Sequence, residues 1–211
     1  RDSSVTGVQT CALPICGHLG FTSMLIPTFN HIVSKYAIKS VLDVGCGPAG
    51  MVEYANYNGI YSIGIDGDFD LPKKDYVLVH DFTTGKIEID KKFDLIYSTE
   101  FFEHVDKIHM DNFLCLFKNA KYAFVSAAPP GQGGHHHVNE QPKEFWIDTL
   151  KEYGLKYLPE DSEEISNTNE SDLVRKNSMF FINENFEAET TKEMPFVISK
   201  ELVDESLSLF V

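Results

Sequence analysis

Residues 41–50, Val-Leu-Asp-Val-Gly-Cys-Gly-Pro-Ala-Gly, constrain the fold more than any other stretch of the chain. Val41, Leu42 and Val44 are strand formers, and the glycines after them permit a tight turn. Pro48 and Gly50 lead into a short helical segment starting near Met51. A strand, a turn and a helix start in so few residues let backbone N–H groups approach a ligand closely. Asp43 stands at the end of the strand, two residues before Gly45. A buried carboxylate there needs hydrogen bonds or a cation.

The same alternation continues downstream. Strand-like runs recur at Tyr61 to Ile65, Tyr76 to Val79, Phe93 to Tyr97 and Tyr122 to Ser126. They are short and mostly apolar, as strands buried on both faces of a parallel sheet should be. Met24 to Tyr36 reads as a helix with Leu25, Phe29, Ile32 and Val33 on one side. Met110, Phe113, Leu114 and Phe117 have the spacing of one buried helix face, and Pro142 to Gly154 brackets a further helix lined by Trp146, Leu150 and Tyr153. Glu160 to Asp172 is acidic and polar. The expected fold is α/β, a doubly wound, mostly parallel sheet with its ligand at the carboxyl ends of the strands.

The glycine stretch resembles the first motif of class I S-adenosylmethionine-dependent methyltransferases, acidic-x-Gly-x-Gly-x-x-Gly, which Asp43, Gly45, Gly47 and Gly50 match. Nicotinamide-binding folds carry a similar glycine pattern, so the distinction rests on the later strands. Asp66 ends the second strand, 21 positions after Gly45, where an acid can accept both ribose hydroxyl protons of an adenosine cofactor. The resemblance implies that Asp81 receives the adenine amino group and that Phe82 packs on the ring; the other reading makes Asp81 a turn cap and Phe82 a core residue. After the fourth strand, Ser98-Thr99-Glu100-Phe101-Phe102-Glu103-His104-Val105 is similar to the ExxEHV signature of many members, and Ser98 joins the cofactor-binding set. The resemblance implies a Rossmann-like sheet closed by a sixth strand and an antiparallel seventh, here Leu155 to Leu158 and Ser178 to Ile182. It also implies S-adenosylmethionine as cofactor.

The methyl carbon of that cofactor sits on a sulfonium, so the protein mainly aligns an acceptor lone pair, a contribution of about 7–11 kcal/mol. An oxygen acceptor must also lose a proton, and histidine is a base near neutrality without tuning. His104 and the run His135-His136-His137 both fall in loops at the carboxyl edge of the sheet, and His104 and His136 are the expected bases. Glu100, Glu103 and His104 share one face if helical. Completed by one of His135 to His137, with His136 as the choice, they form a candidate site for Mg²⁺, Mn²⁺ or Zn²⁺, a pattern similar to the metal motif of small-RNA 3′-end 2′-O-methyltransferases. The alternative is that Glu103 and His104 cap and orient the segment after the fourth strand.

Val5 to Ile15, VTGVQTCALPI, is similar to the conceptual translation of a sequencing adapter. Residues 1–15 are therefore expected to be an adapter-derived artefact replacing the native N-terminus, residues 16–182 the methyltransferase domain, and residues 183–211 a C-terminal extension. About 196 residues then remain, enough for one full core. Lys and Arg number 18 against 32 Asp and Glu, for a net charge of −14, which argues against a nucleic-acid partner. No apolar run is long enough for a membrane span. Cys16, Cys46 and Cys115 are scattered without a CxxC pair, which points to a reducing cytoplasm. The expected function is methyl transfer to an oxygen, or less readily a nitrogen, of a small molecule or glycan. A metal-assisted RNA 2′-O-methyltransferase and a cofactor-binding module without catalysis stay open as alternatives.

Overall fold

Five strands of β-formers lie side by side in parallel, buried in the middle and partly exposed at the β3 edge: β1 (Ser40–Val44), β2 (Tyr61–Asp66), β3 (Val77–Val79), β4 (Phe93–Thr99) and β5 (Ala120–Ser126). The computed structural model describes residues 24–169 and 171–187; the adapter-like residues 1–15 and nearly all of the expected extension lie outside the described residues. β7 (Met179–Asn183) runs antiparallel to β5, and β6 (Leu155–Tyr157) pairs antiparallel with β7 at the edge. The spatial order is β3-β2-β1-β4-β5-β7-β6. The order reverses direction between β1 and β4, and in such sheets a ligand crevice opens outside the carboxyl ends at that switch. This is the expected α/β sheet with its antiparallel last strand.

Alternation along each strand divides the apolar residues between two cores. Leu42, Val44, Ile96, Ala123 and Val125 face one side, with Phe102, Phe113, Phe117 and Trp146. Val41, Leu95, Tyr97 and Phe124 face the other, with Phe29, Ile32, Ile165 and Phe180. Both faces of the central strands are therefore covered, which explains why they read as continuous apolar runs.

Helix α1 (Ile26–Tyr36) starts with Pro27 in its first turn and ends where Ala37 turns left-handed. It buries Phe29 and Ile32 and fixes α5 (Pro159–Ser166) through Lys35, which meets Asp161 at 2.7 Å and Glu164 at 2.6 Å. Helix α2 (Gly50–Tyr57) follows the glycine loop, and α4 (Lys143–Glu152) starts after Pro142 as expected. Two elements differ from expectation. The single helix from Met110 is divided into α3 (Met110–Leu114) and a 3-10 turn over Cys115–Asn119, and the tighter turn buries both Leu116 and Phe117. The polar stretch holds nearly all of α5 and runs up to the first residue of α6 (Asp172–Asn177). Its buried positions are Ser162, Ile165 and Ser166, so no apolar stripe marked a helix in the sequence.

Candidate active site

The loop after β1 is built by the left-handed turns at Gly45 (φ 79°) and Gly47 (φ 51°). The N–H groups of Gly45 and Cys46 both donate to the carbonyl of Ile65, at 2.8 and 3.1 Å, which holds the loop against β2. A Cβ on Gly45 would overlap the ring of Phe101. Asp66 completes the junction: its Oδ2 accepts the N–H of Gly47 at 2.8 Å and its Oδ1 the N–H of Asp68 at 2.9 Å. Ser98, fully buried, donates its hydroxyl to the Val44 carbonyl at 2.7 Å, so β4 supports the same turn from the other side. Lys74 donates to the Pro48 carbonyl at 3.0 Å and pairs with Glu53, a brace that sequence reasoning missed.

Asp43 and Asp66 are both buried at the carboxyl ends of adjacent strands. Burial first, and then the charge of Asp66, pushes the Asp43 carboxyl up to about 8. Two acids held so close favour a cationic or hydrogen-donating ligand between them. Asp81 is buried too, but its Oδ1 accepts the Thr83 N–H at 2.8 Å and the Thr83 hydroxyl at 2.6 Å. It caps a turn, with its second oxygen outside that pair of bonds. Phe82 is 3% exposed and packs edge-on to Phe101 and Phe113, so its ring belongs chiefly to the core.

Beyond β4 the chain does not form the α-helix that would place Glu100 and Glu103 on one face. Glu100 adopts a left-handed conformation (φ 50°) and turns its Oε1 to the Ser126 hydroxyl at 2.8 Å. Glu103 and His104 lie in a 3-10 turn over Phe102–His104. Glu103, His104 and His137 come together, with one ligand atom from each within 4.8 Å of the others. The rings of His104 and His137 lie 4.9 Å apart, edge to face. Glu103 is fully buried with neither carboxylate oxygen in a hydrogen bond of ordinary geometry. Burial and the nearby Glu100 push it up to about 8.

The expected His136 is not in this group. It is left-handed (φ 59°), and its ring packs on His135 instead, 3.8 Å between centroids. His135 and His136 form a turn with their rings on each other, and His137 is the member of the run that reaches Glu103 and His104. The N–H groups of Val138 and Asn139 donate to the Glu103 carbonyl at 2.9 and 3.0 Å, which sets this choice. No signal in the sequence distinguished the three. Left-handed Ala49, Glu100 and His136 all sit on loops of this edge, where backbone strain tends to gather at functional sites.

The chain matches the family model described as methyltransferase domain over residues 29–160. No curated protein sequence matches it. Among solved structures, it is similar to a TehB-like SAM-dependent methyltransferase from Corynebacterium glutamicum, at 17% identity and TM-score 0.55, over 79% of this chain and 91% of that one. An S-adenosylmethionine-dependent methyltransferase from Clostridium acetobutylicum aligns at 11% identity and TM-score 0.54, over 73% and 87%. The 1,6-didemethyltoxoflavin-N1-methyltransferase of Burkholderia thailandensis aligns at 12% identity and TM-score 0.55, over 75% and 77%. At such identities these structures speak for the fold alone.

Proposed function

This chain belongs to the methyltransferase domain family, and on that premise we propose that it methylates an oxygen of a small molecule or glycan. It is an S-adenosylmethionine-dependent methyltransferase. The reading assigns the cofactor to the crevice formed by the Gly45–Gly50 loop, Asp43 and Asp66, with Ser98 supporting the loop and Asp81 and Phe82 at its far end. Asp66 takes the N–H groups of Gly47 and Asp68, which fixes its carboxylate against the glycine loop, and the reading has that same carboxylate accept the ribose hydroxyls. Asp43 lies close enough to feel the charge of Asp66, and its raised pKa falls back once a cationic ligand sits beside it.

The observation that carries the oxygen acceptor is the pair of touching imidazoles, His104 and His137, at the same sheet edge as the glycine loop. A hydroxyl is a weak nucleophile until its proton leaves, and a base beside it supplies that activation directly. An imidazole beside the acceptor takes that proton while the oxygen lone pair attacks the methyl carbon. S-adenosylmethionine, held by the Gly45–Gly50 loop, Asp43 and Asp66, would supply the electrophilic methyl group and a neutral thioether leaving group. The rest of the chain's work is alignment and exclusion of water. The net charge of −14 supports a small or neutral acceptor over a polyanion.

A second reading has one observation in its favour. A buried carboxylate without ordinary hydrogen bonds, beside two imidazoles, is the donor set of a divalent cation such as Zn²⁺ or Mn²⁺. Glu103, His104 and His137 would hold it, and a bound cation would lower the pKa of an acceptor hydroxyl. Calorimetry with S-adenosylhomocysteine, followed by methyl-release assays on hydroxylated small molecules, sugars, amines and short RNA, tests the first reading. Transfer only to amines, or binding without transfer to any acceptor, would sink it. Titration with Mn²⁺ and Zn²⁺ tests the second, which requires heat in the wild type and none in Glu103→Ala.

A further inference from the structure

The loop between β5 and α4 is organised around one carboxylate. Glu140 Oε2 accepts the N–H of Gly131 at 2.7 Å, and Oε1 accepts the N–H of Gly133 at 2.7 Å. His137 Nδ1 lies 2.9 Å from the same Oε1. Both side chains are largely covered, 11% exposed for His137 and 17% for Glu140. The His137 ring lies directly on Gly134, where any Cβ would overlap it. From the other side, Asn139 donates its side-chain amide to the Val105 carbonyl at 3.0 Å, joining the loop to the turn that carries Glu103 and His104.

We propose that Glu140 is a positioning residue that holds the β5–α4 loop and fixes the tautomer of His137. An ionised carboxylate only accepts hydrogen bonds, so the His137 nitrogen beside it carries the hydrogen. Nδ1 is therefore the N–H, and Nε2 keeps the lone pair. Nε2, whose edge of the ring lies on Gly134, is then the nitrogen left with a lone pair for a proton or a cation. When the acceptor O–H breaks and the Nε2–H bond forms, the ring becomes an imidazolium, and its charge lies beside the Glu140 carboxylate. One acid residue thus serves two tasks: it ties two glycine amides into a fixed loop and sets which end of an imidazole is basic. The catalytic consequence rests on the methyl-transfer reading above; the tautomer and the loop order do not.

The test uses the whole chain labelled with ¹⁵N-histidine, saturated with S-adenosylhomocysteine, at about pH 8, where an ordinary imidazole is neutral. Long-range ¹H–¹⁵N spectra, assigned by comparison with His137→Gln, report which ring nitrogen bears hydrogen. The wild type is expected to show His137 mainly as the Nδ1–H form. In Glu140→Ala that form should fall to a minority, and the amides of Gly131 and Gly133 should lose their exchange protection. Affinity for S-adenosylhomocysteine should stay within about twofold, because the cofactor loops are separate from this one. Glu140→Gln keeps one acceptor oxygen in place of two and should lie between. A wild-type His137 in the Nε2–H form, or a folded Glu140→Ala with an unchanged tautomer, would overturn the proposal. Should Glu140→Ala fail to fold, the wild-type spectrum and Glu140→Gln decide. None of these readouts needs a methyl acceptor, so a failed transfer assay counts against the earlier reading and these spectra against this one.

Discussion

The carboxylate of Asp66 accepts the backbone N–H of Gly47 at 2.8 Å, which makes the end of β2 and the turn after β1 one structural unit. A ligand that reaches for Asp66 also meets the glycine loop, and neither part can move without the other. Asp66→Ala should therefore weaken S-adenosylhomocysteine by roughly tenfold to a hundredfold, the loss of charge-assisted hydrogen bonds worth about 1.5–3 kcal/mol. Isothermal calorimetry reads the change. An affinity within error of wild type would remove Asp66 from the cofactor site.

Gly45→Ala meets two obstacles at once. The backbone is left-handed there, and the new Cβ would overlap Phe101. The conformational strain alone costs about 1–3 kcal/mol. Thermal denaturation should show a clearly lower midpoint, together with weaker cofactor binding, since displacing Phe101 disturbs the segment leading to Glu103.

Asp43 gives the free protein a pH-dependent stability. Its carboxyl is raised to about 8 in the folded chain, chiefly by burial. In the unfolded chain it returns to about 3.9. The folded state thus binds more protons than the unfolded one between those values, so stability falls as pH rises through that window. Glu103, also raised to about 8, acts in the same direction. Urea melts at intervals from pH about 5 to about 8 should show the decline. Asp43→Asn should flatten it, and Asp43→Asn with Glu103→Gln should flatten it further.

The three consecutive histidines should separate in an activity assay once an acceptor is found. His137→Ala and His104→Ala should each lower kcat by roughly 10²–10⁴-fold, the usual contribution of a general base. His136→Ala should change it only a few-fold, because that ring packs on His135 and takes no part in the group at Glu103. Equal losses in all three would contradict the inward orientation of His137 alone.

How much of this was legible in the sequence depends on the range of the interaction. The alternation of short apolar runs, the glycines after β1 and the acids at Asp43 and Asp66 are local signals. A strand buried on both faces must be apolar throughout, and a turn that approaches a ligand needs glycine, whatever surrounds it. The order of elements and the place of the cofactor crevice follow from them. The helix α5 was not legible, because its inner face carries Ser162 and Ser166, whose hydroxyls bond to the carbonyls of Leu158 and Ser162 in place of apolar contacts.

Which histidine turns inward lay beyond the sequence altogether. Spacing suggested that Glu100, Glu103 and His104 share a helical face; a left-handed Glu100 and a 3-10 turn leave Glu100 on Ser126 instead. His135, His136 and His137 are chemically the same side chain in a glycine-rich loop, and no local rule ranks them. The choice falls to His137 through contacts across chain segments, Val138 and Asn139 with the carbonyl of Glu103, and through contacts inside the loop, Glu140 with Nδ1 and the glycine amides. Periodicity and residue type act over a few positions and so determined the sheet and its cofactor edge. The direction of the His137 side chain is set by Glu140 within the same loop and by the bonds of Val138 and Asn139 to Glu103, more than thirty positions away, which only the folded chain brings together.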